Sequence, residues 1–496
     1  MELSTYQKNI LAKAETNKGN FLIDAKAGSG KTFMLLEIMN VIKGKTLSVA
    51  FSQSIQKELS NKVPSFVDCR TIHSLGFEAI RKSNRGYTTV DNRKINWIMD
   101  KLPALSFNKE MEPFDKFKLF EQRSLIKKMV SICKSTLTQY DNMKDVIATC
   151  DQYNIEFIPE YYELFKSVFV KSLKLKQHSY QRKNLIDYDD MIYLPVFHNW
   201  VFPSYDNVLI DETQDLNKCQ IELILRCVKS GNGRVIAVGD PQQSIYGFRG
   251  ADTKAMENVQ SSLKAKVLPL SVCYRCPTSH IELAQEIVPE IEASPNAIEG
   301  TIQNINWDEL ADNVKTGDLC LCRVNAKLIS GALKCIANGQ KAIIKGKDIG
   351  ENLISIVNGL SCNYNELEEK LESWANQQYE KLTKRRAPKS TLDTIADKVE
   401  CIKIVADSIA NISNVSIESL TDKIESLFSD NHSGVVFSSV HRAKGLEADN
   451  VFILNPELLP LLHKNQSEDE QQQEMNIKYV ALTRSKKNLT FVNERD

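Results

Sequence analysis

The sequence predicts an α/β fold of parallel sheets with mainly helical insertions, and three observations lead there. Short, continuously apolar runs, Phe21 to Asp24 and Val208 to Ile210, read as strands buried on both faces, as parallel strands are. The first runs through a glycine turn into a helical pattern, "SGKTFMLLEIMNVI", and the second ends in two acids. At 496 residues the chain is too long for one ordinary core, so roughly two to four domains are expected.

Composition excludes several classes. Hydrophobic content of 42% with only 14 Pro and 20 Gly argues against a disordered or fibrous chain. No apolar run approaches the roughly 18 residues that span a bilayer, so no membrane partner is expected. "MELSTYQKNI" lacks the basic and apolar segments of a secretory signal. The expected location is therefore the cytoplasm, nucleoid-associated, or the host cytoplasm for a viral source. Many of the 12 Cys sit in apolar company, as in "DLCLCRV", and read as buried free thiols that a cytosol keeps reduced. Cys273 and Cys276 form a C-x-x-C, but the C-x-C of Cys320 and Cys322 suits a tetrahedral zinc site poorly. Net charge is +0, with 63 basic and 63 acidic residues, so composition neither supports nor excludes a nucleic-acid partner.

After the first strand comes Ala25-Lys-Ala-Gly-Ser-Gly-Lys-Thr32, a G-x-x-x-x-G-K-[ST] pattern with Ala at the first glycine position. Gly28 and Gly30 let backbone N–H groups turn onto phosphate oxygens, with Ala27 and Ser29 in the same loop. Lys31 would reach the β- and γ-phosphates of a nucleotide and Thr32 would bind Mg²⁺. The second strand ends in Asp211 and Glu212, at the strand end where such sheets bind ligands. Asp211 would hold Mg²⁺, and Glu212 would orient and deprotonate the attacking water. These residues predict a P-loop NTPase that uses Mg²⁺, a description that kinases, GTPases, transporters and motors all share.

A later loop, "VGDPQQSIYGFRGA" from Val238 to Ala251, combines an acid, two amides, two aromatics and a guanidinium. That mixture suits contact with two different ligands, one of them charged.

Taken in order, the segments resemble the UvrD/Rep/PcrA branch of superfamily 1 DNA helicases. "LSTYQKNIL", "SVAFSQSIQKELSNKV", "TIHSLGFEAIR", "LIDYDDMI", "LSVCYRCP", "LCRVNAKLISGALKCIANGQKAIIKG", "VFSSVHRAKGLEADNVFIL" and "EMNIKYVALTRSKKNL" each resemble a family segment. Departures include Cys273 where Asn is usual, Ser439 for Thr, Ala448 for Phe and Phe248 for Trp. The resemblance implies that Gln7 reads the adenine edge, Tyr274 stacks on adenine, and Gly445 and Glu447 lie at the nucleotide, Glu447 on the ribose. It implies that Gln243 senses the γ-phosphate and that Arg275 and Arg484 are arginine fingers from a second core domain. It gives Phe51, His73, Tyr246, Phe248, Arg249, Ser439 and His441 to the single-stranded DNA track. The alternative reading makes His73 and His441 satisfied structural histidines and Tyr246 and Phe248 core aromatics.

The same resemblance implies two RecA-like parallel-sheet cores. The first would comprise residues 1–84 and 186–268, with a helical insertion at 85–185. The second would comprise 269–350 and 432–496, with a reduced helical insertion at 351–431. The basic stretch "KSLKLKQHSYQRK" reads either as a contact to DNA phosphates or as a solvated face. The small second insertion implies weaker autoinhibition than in larger relatives, and the expectation is a chain without their long C-terminal tail.

The activity this implies is an ATP-dependent 3′→5′ DNA helicase or translocase acting on single-stranded DNA and single-strand/duplex junctions. Two other readings use the same motor. One is a translocase that strips bound proteins. The other is an ATPase subunit with a protein partner, a nuclease or a replication or recombination protein. An ATP-binding scaffold without turnover fits poorly, since Lys31, Glu212, Gln243, Arg275 and Arg484 are all present.

Overall fold

The computed structural model describes the chain except residues 1, 17, 51–55, 58–59, 84–86, 109, 175–182, 247–253, 385–388, 412–413, 429–433, 465 and 495–496. By contact it divides into two units, Met1–Ala25 with Gly30–Leu270, and Lys26–Ser29 with Ser271–Asp496. Each holds one six-stranded sheet in which every described pairing is parallel. The chain thus forms the two RecA-like cores that its sequence predicts.

The first sheet is built from β1 (Phe21–Ala25), β2 (Thr46–Ala50) and β3 (Val67–Thr71), all before the helical insertion. Two strands, β4 (Tyr87–Val90) and β5 (Lys183–Ile186), pair with each other at the start and end of that insertion. The sheet is completed by β6 (Asn207–Ile210), β7 (Arg234–Gly239) and β8 (Lys266–Leu270), in the order β3-β2-β6-β7-β1-β8. The order matters for function. Because β6, β7 and β1 are neighbours, the loops after them converge at one end of the sheet, where open α/β sheets bind ligands.

Alternation along the strands explains why both faces are apolar. Leu22, Val208, Ile210, Val235 and Ala237 point into one core cluster. Phe21, Ile23, Leu209, Ile236 and Val238 point into another on the opposite face. The first cluster does not stop at the sheet: Ile126, Met129, Val130, Cys133, Val146, Phe165 and Phe169 of the helical insertion belong to it. These residues come from helices Pro113–Thr136, Met143–Gln152 and Tyr162–Ser172.

Polar groups lock that shared core. Asp190, in helix Tyr188–Phe197, accepts from Lys94 Nζ at 2.5 Å and from Lys134 Nζ at 2.7 Å, all three side chains being buried. Lys94 Nζ also donates to the Ser172 carbonyl at 2.6 Å. Burial alone would raise the Asp190 carboxyl, but Lys134 and Lys94 outweigh it and hold the group below the usual carboxylate range. Gly76 lets helix Ile72–Ser83 cross close to helix Tyr188–Phe197, since a Cβ there would overlap the Met191 carbonyl oxygen.

The second unit opens with a two-strand pair, β9 (Val272–Cys273) and β10 (Glu292–Ala293). Its main sheet contains β11 (Thr301–Asn306), β12 (Leu319–Cys322), β13 (Ala342–Ile344), β14 (Val435–Ser439), β15 (Ala448–Leu454) and β16 (Ser485–Asn493). Their order is β11-β16-β15-β12-β14-β13. Between β13 and β14 lie helices Lys347–Gly359, Leu367–Lys384, Lys389–Ile409 and Ile417–Leu427. Their apolar faces (Leu353, Leu371, Ile402, Val405, Ile424) join Phe437, Phe452 and Leu454 of the sheet in one core. Asp397, on helix Lys389–Ile409, caps helix Asn325–Ala337 by accepting from the amides of Asn325 at 3.2 Å and Ala326 at 2.9 Å.

Candidate nucleotide and nucleic-acid site

The phosphate loop follows β1. Gly28 and Gly30 adopt φ of +66° and +83°, the left-handed region that favours glycine, so the loop can turn its amides inward. Helix Lys31–Val41 starts at Gly30 with no side-chain cap on its first amides, which is the arrangement an anion completes. Ser29 Oγ is buried and, among the described residues, has no hydrogen-bond partner. A buried hydroxyl donor in a glycine turn fits a phosphate oxygen.

The acids stand at the end of β6. Lys31 Nζ lies 3.8 Å from Glu212 Oε2. Asp211 is buried, and burial together with the neighbouring Glu212 charge raises its carboxyl to about 7, against the pull of Lys31. A buried acid beside a second carboxylate is stabilised by a cation, so Asp211 and Thr32 fit Mg²⁺ by their donor chemistry. Glu212 itself is held at φ +48°, a strained conformation for a non-glycine residue.

Three residues that sequence reasoning gave no role, Gln214, Asp240 and Thr213, join these groups. Gln214 Nε2 donates to Glu212 Oε2 at 2.5 Å, and Gln214 Oε1 accepts from the Asp240 amide at 3.1 Å. Asp240 Oδ2 then accepts from Gln243 Nε2 at 2.7 Å. Thr213 Oγ1 ties the same turn to the Val238 carbonyl at 3.0 Å. Glu212 and Gln243, named from different strands, are thus connected through the Gln214 side chain and the backbone and side chain of Asp240 at the ends of β6 and β7. The sequence signal was present in "DETQD" and "GDPQQ", where each acid is followed closely by an amide.

Gln7 has a local duty that its position also encodes. It is buried at the third position of helix Thr5–Glu15 and forms a capping box, accepting from Ser4 N–H at 2.9 Å.

In the second unit Arg275 Nε donates to Glu447 Oε2 at 2.7 Å and Nη1 to the Thr483 carbonyl at 3.2 Å. Lys486 reaches the other Glu447 oxygen at 2.6 Å. Partial burial opposes ionisation of Glu447, but Lys486 and Arg275 outweigh it and hold the carboxyl below its usual range. Arg484 is buried; it donates to the carbonyls of Val480 at 2.9 Å and Leu446 at 3.4 Å and to Thr483 Oγ1 at 3.2 Å. The two arginines therefore bracket Thr483. Tyr274 is exposed, and Gly445 takes φ +86° in the turn before Glu447.

Of the residues assigned to the DNA track, Phe51, Phe248 and Arg249 lie outside the described residues, as does most of "KSLKLKQHSYQRK". His73 is half-buried and packs edge-on against Tyr188, with ring centroids 5.7 Å apart. Burial lowers its pKa, against the opposing charge of Asp189. Tyr188 is 54% exposed, an aromatic face to solvent that sequence reasoning did not single out. Tyr246 and His441 are half-buried, and Ser439 is buried at the end of β14. Among the described residues no group of three or more His, Cys, Asp or Glu is placed to hold a metal by itself. No described helix is long and apolar enough to cross a membrane.

Comparison with known proteins adds an independent finding. Residues 3–264 match the family model of the UvrD/REP helicase N-terminal domain, and residues 434–492 match that of the UvrD-like helicase C-terminal domain. The F-box DNA helicase protein 1 of Schizosaccharomyces pombe is 25% identical, across 98% of this chain and 57% of that protein. The ATP-dependent DNA helicase Rep of Buchnera aphidicola is 26% identical, across 58% of this chain and 44% of its own length. The ATP-dependent DNA helicase PcrA of Staphylococcus aureus is 24% identical, across 55% of this chain and 38% of its own. The matched chain spans about half the length of these relatives.

Proposed function

Because the chain belongs to the UvrD/REP helicase family, we propose that it is an ATP-driven motor that moves 3′→5′ on single-stranded DNA and unwinds duplex at junctions. The observation that carries this reading is the chain Lys31–Glu212–Gln214–Asp240–Gln243, which joins the phosphate loop, the acidic strand end and the loop after β7.

In this reading the loop amides, Ser29 and Lys31 hold the triphosphate. Glu212, oriented by the Gln214 amide, takes the proton of the attacking water. Gln243 responds to the γ-phosphate, and Asp240 and Gln214 pass its position to Glu212. Mg²⁺ held by Thr32 and Asp211 would neutralise charge on the phosphates. Arg275 and Arg484 would stabilise charge developing on the transferred group, and Tyr274, Gln7, Gly445 and Glu447 would bind the nucleoside. His73, Tyr246, Phe248, Arg249, Phe51, Ser439 and His441 would track the DNA strand, where aromatic stacking tolerates any base. The division into two cores (1–84 with 186–268, and 269–350 with 432–496) and two insertions (85–185 and 351–431) belongs to the same proposal.

The test is steady-state ATP hydrolysis with and without single-stranded DNA, wild type beside Glu212→Gln. DNA should stimulate the wild type strongly, and the substitution should lower kcat by ~10²–10⁴, the range for a general base. A wild type that turns over no faster with DNA would overturn the motor reading. Duplexes with a 3′ or a 5′ tail then test direction, since only the 3′-tailed substrate should unwind.

A further inference from the structure

Two thiols flank Arg275. Cys273 ends β9, and Pro277 caps helix Thr278–Gln285, so Cys273 and Cys276 sit on a short turn fixed at both ends. The Cys276 amide donates to Cys273 Sγ at 3.4 Å, which places the two cysteines face to face across the turn. The Cys276 thiol also reaches the Thr483 carbonyl at 3.6 Å, the same oxygen that accepts Arg275 Nη1 at 3.2 Å. Sulfur pair and guanidinium therefore share one anchoring point.

We propose that Cys273 and Cys276 are a thiol-oxidation site whose reversible disulfide draws Cys276 off the Thr483 carbonyl, rewinds the turn carrying Arg275 and slows ATP turnover. The consequence for turnover rests on the role proposed above for Arg275; the disulfide does not. The oxidant is a hydroperoxide, hydrogen peroxide in the simplest case. Cys273 thiolate attacks one peroxide oxygen. The O–O bond breaks, an S–O bond forms, and hydroxide leaves and takes a proton as the first water. Cys276 sulfur then attacks Cys273 sulfur, the S–S bond forms, the S–O bond breaks, and the second water leaves with the thiol proton. Two thiols lose two electrons, and the peroxide is reduced to two waters. A dithiol reductant reverses the step by exchange.

The surroundings favour this pair over the others. The thiolate is the nucleophile in such steps. The Cys276 thiol, the amides of Cys276 and Arg275 and the Arg275 charge together outweigh burial and bring Cys273 down to about 6, while Cys276 is pushed up. The remaining ten cysteines are all pushed up, chiefly by burial, and stay as inert thiols. Both sulfurs of the pair are buried, which selects a small oxidant.

The full chain, reduced, is exposed to hydrogen peroxide, alkylated and digested with trypsin. Cleavage after Arg275 separates the two cysteines, so a disulfide holds two peptides together. The linked pair should appear, and DNA-stimulated hydrolysis should fall by roughly tenfold or more, a fraction of the ~10³–10⁵ that an arginine finger supplies. Dithiothreitol should reverse both. Cys276→Ser, whose hydroxyl can keep the bond to Thr483, should hydrolyse ATP like the reduced wild type and resist peroxide. Absence of the linked pair overturns the proposal, and so does a linked pair with unchanged turnover. If the reduced protein shows no DNA-stimulated hydrolysis, the motor reading fails while the linked peptides still report on the thiol pair.

Discussion

The two helical regions are fastened to their sheets by different physics. In the first, a single carboxylate, Asp190, sits fully buried between Lys94 and Lys134 at the centre of a core shared with the sheet. In the second, the contact is apolar packing plus carboxylates that stay partly in water: Asp397 at the start of helix Asn325–Ala337, Asp393 against His463 at 2.7 Å, and Asp348 against Arg442. A buried ionic cluster adds little stability while it is complete, but removing one member leaves charge stranded in a low dielectric. A helix cap is incremental: its loss returns the amides to water. The first fastening is all-or-none and the second is graded.

Asp190→Ala tests the all-or-none side. It should strand two buried ammonium groups and destabilise the first unit by about 3–5 kcal/mol, as broken buried pairs do. Urea unfolding with hydrogen exchange on helices Lys94–Asp100 and Pro113–Thr136 would read it. On the DNA-contact role proposed for His73, the same change should also weaken single-stranded DNA binding, because helix Tyr188–Phe197 holds Tyr188 against His73. A loss below about 1 kcal/mol, the scale of an exposed ion pair, would erase the contrast between the two regions.

The neighbouring acid sharpens the contrast with the opposite sign. Asp187 caps helix Tyr188–Phe197 and is buried; burial outweighs the nearby lysines and raises its carboxyl to about 6. The folded state therefore holds this proton more tightly than the unfolded chain, whose carboxyl titrates near ~3.9. Stability from Asp187 is present at low pH and is lost as pH rises from about 4 through about 6. Asp190 runs the other way: its contribution is present above the unfolded carboxyl value and is lost as pH falls through its depressed folded value. Asp187→Asn keeps an equally good cap. Above pH 6 it should stabilise the protein, on the order of 1–3 kcal/mol, and flatten the pH dependence between 4 and 6. Destabilisation at pH 8 would show that the lysines dominate.

What the sequence made legible follows the same division between local and distant. The phosphate loop, the acidic strand end and the pair of parallel cores rest on adjacent residues whose chemistry is compressed into a few positions. The capping box at Ser4 and Gln7 was equally local, yet the resemblance drew attention to adenine and away from the helix end. The relay through Gln214 and Asp240 needed the adjacency of β6 and β7, which the sequence does not print. Least legible was the Asp190 cluster. Its lysines are 96 and 56 residues away along the chain, and a lone Lys in an amphipathic helix reads as solvated. The exposed Tyr188 was illegible for a related reason, since its contact with His73 depends on the crossing of two helices at Gly76.

The smallest expected effect lies in the second region. Asp397 Oδ1 and Oδ2 accept from two backbone amides and from Asn325 Nδ2 at 2.9 Å, acting as a cap from a helix 72 residues further on. Asp397→Ala should cost about 0.5–2 kcal/mol, the range for a lost helix cap. Asp397→Asn separates the two contributions: it keeps an acceptor oxygen and removes the charge that favours the positive helix end, so it should recover part of the loss. Added salt should narrow the gap between wild type and Asn, because screening acts on the charge alone. If Asp397→Ala costs as much as Asp190→Ala, the second region is held by its polar tie rather than by its apolar core, and the two fastenings are of one kind.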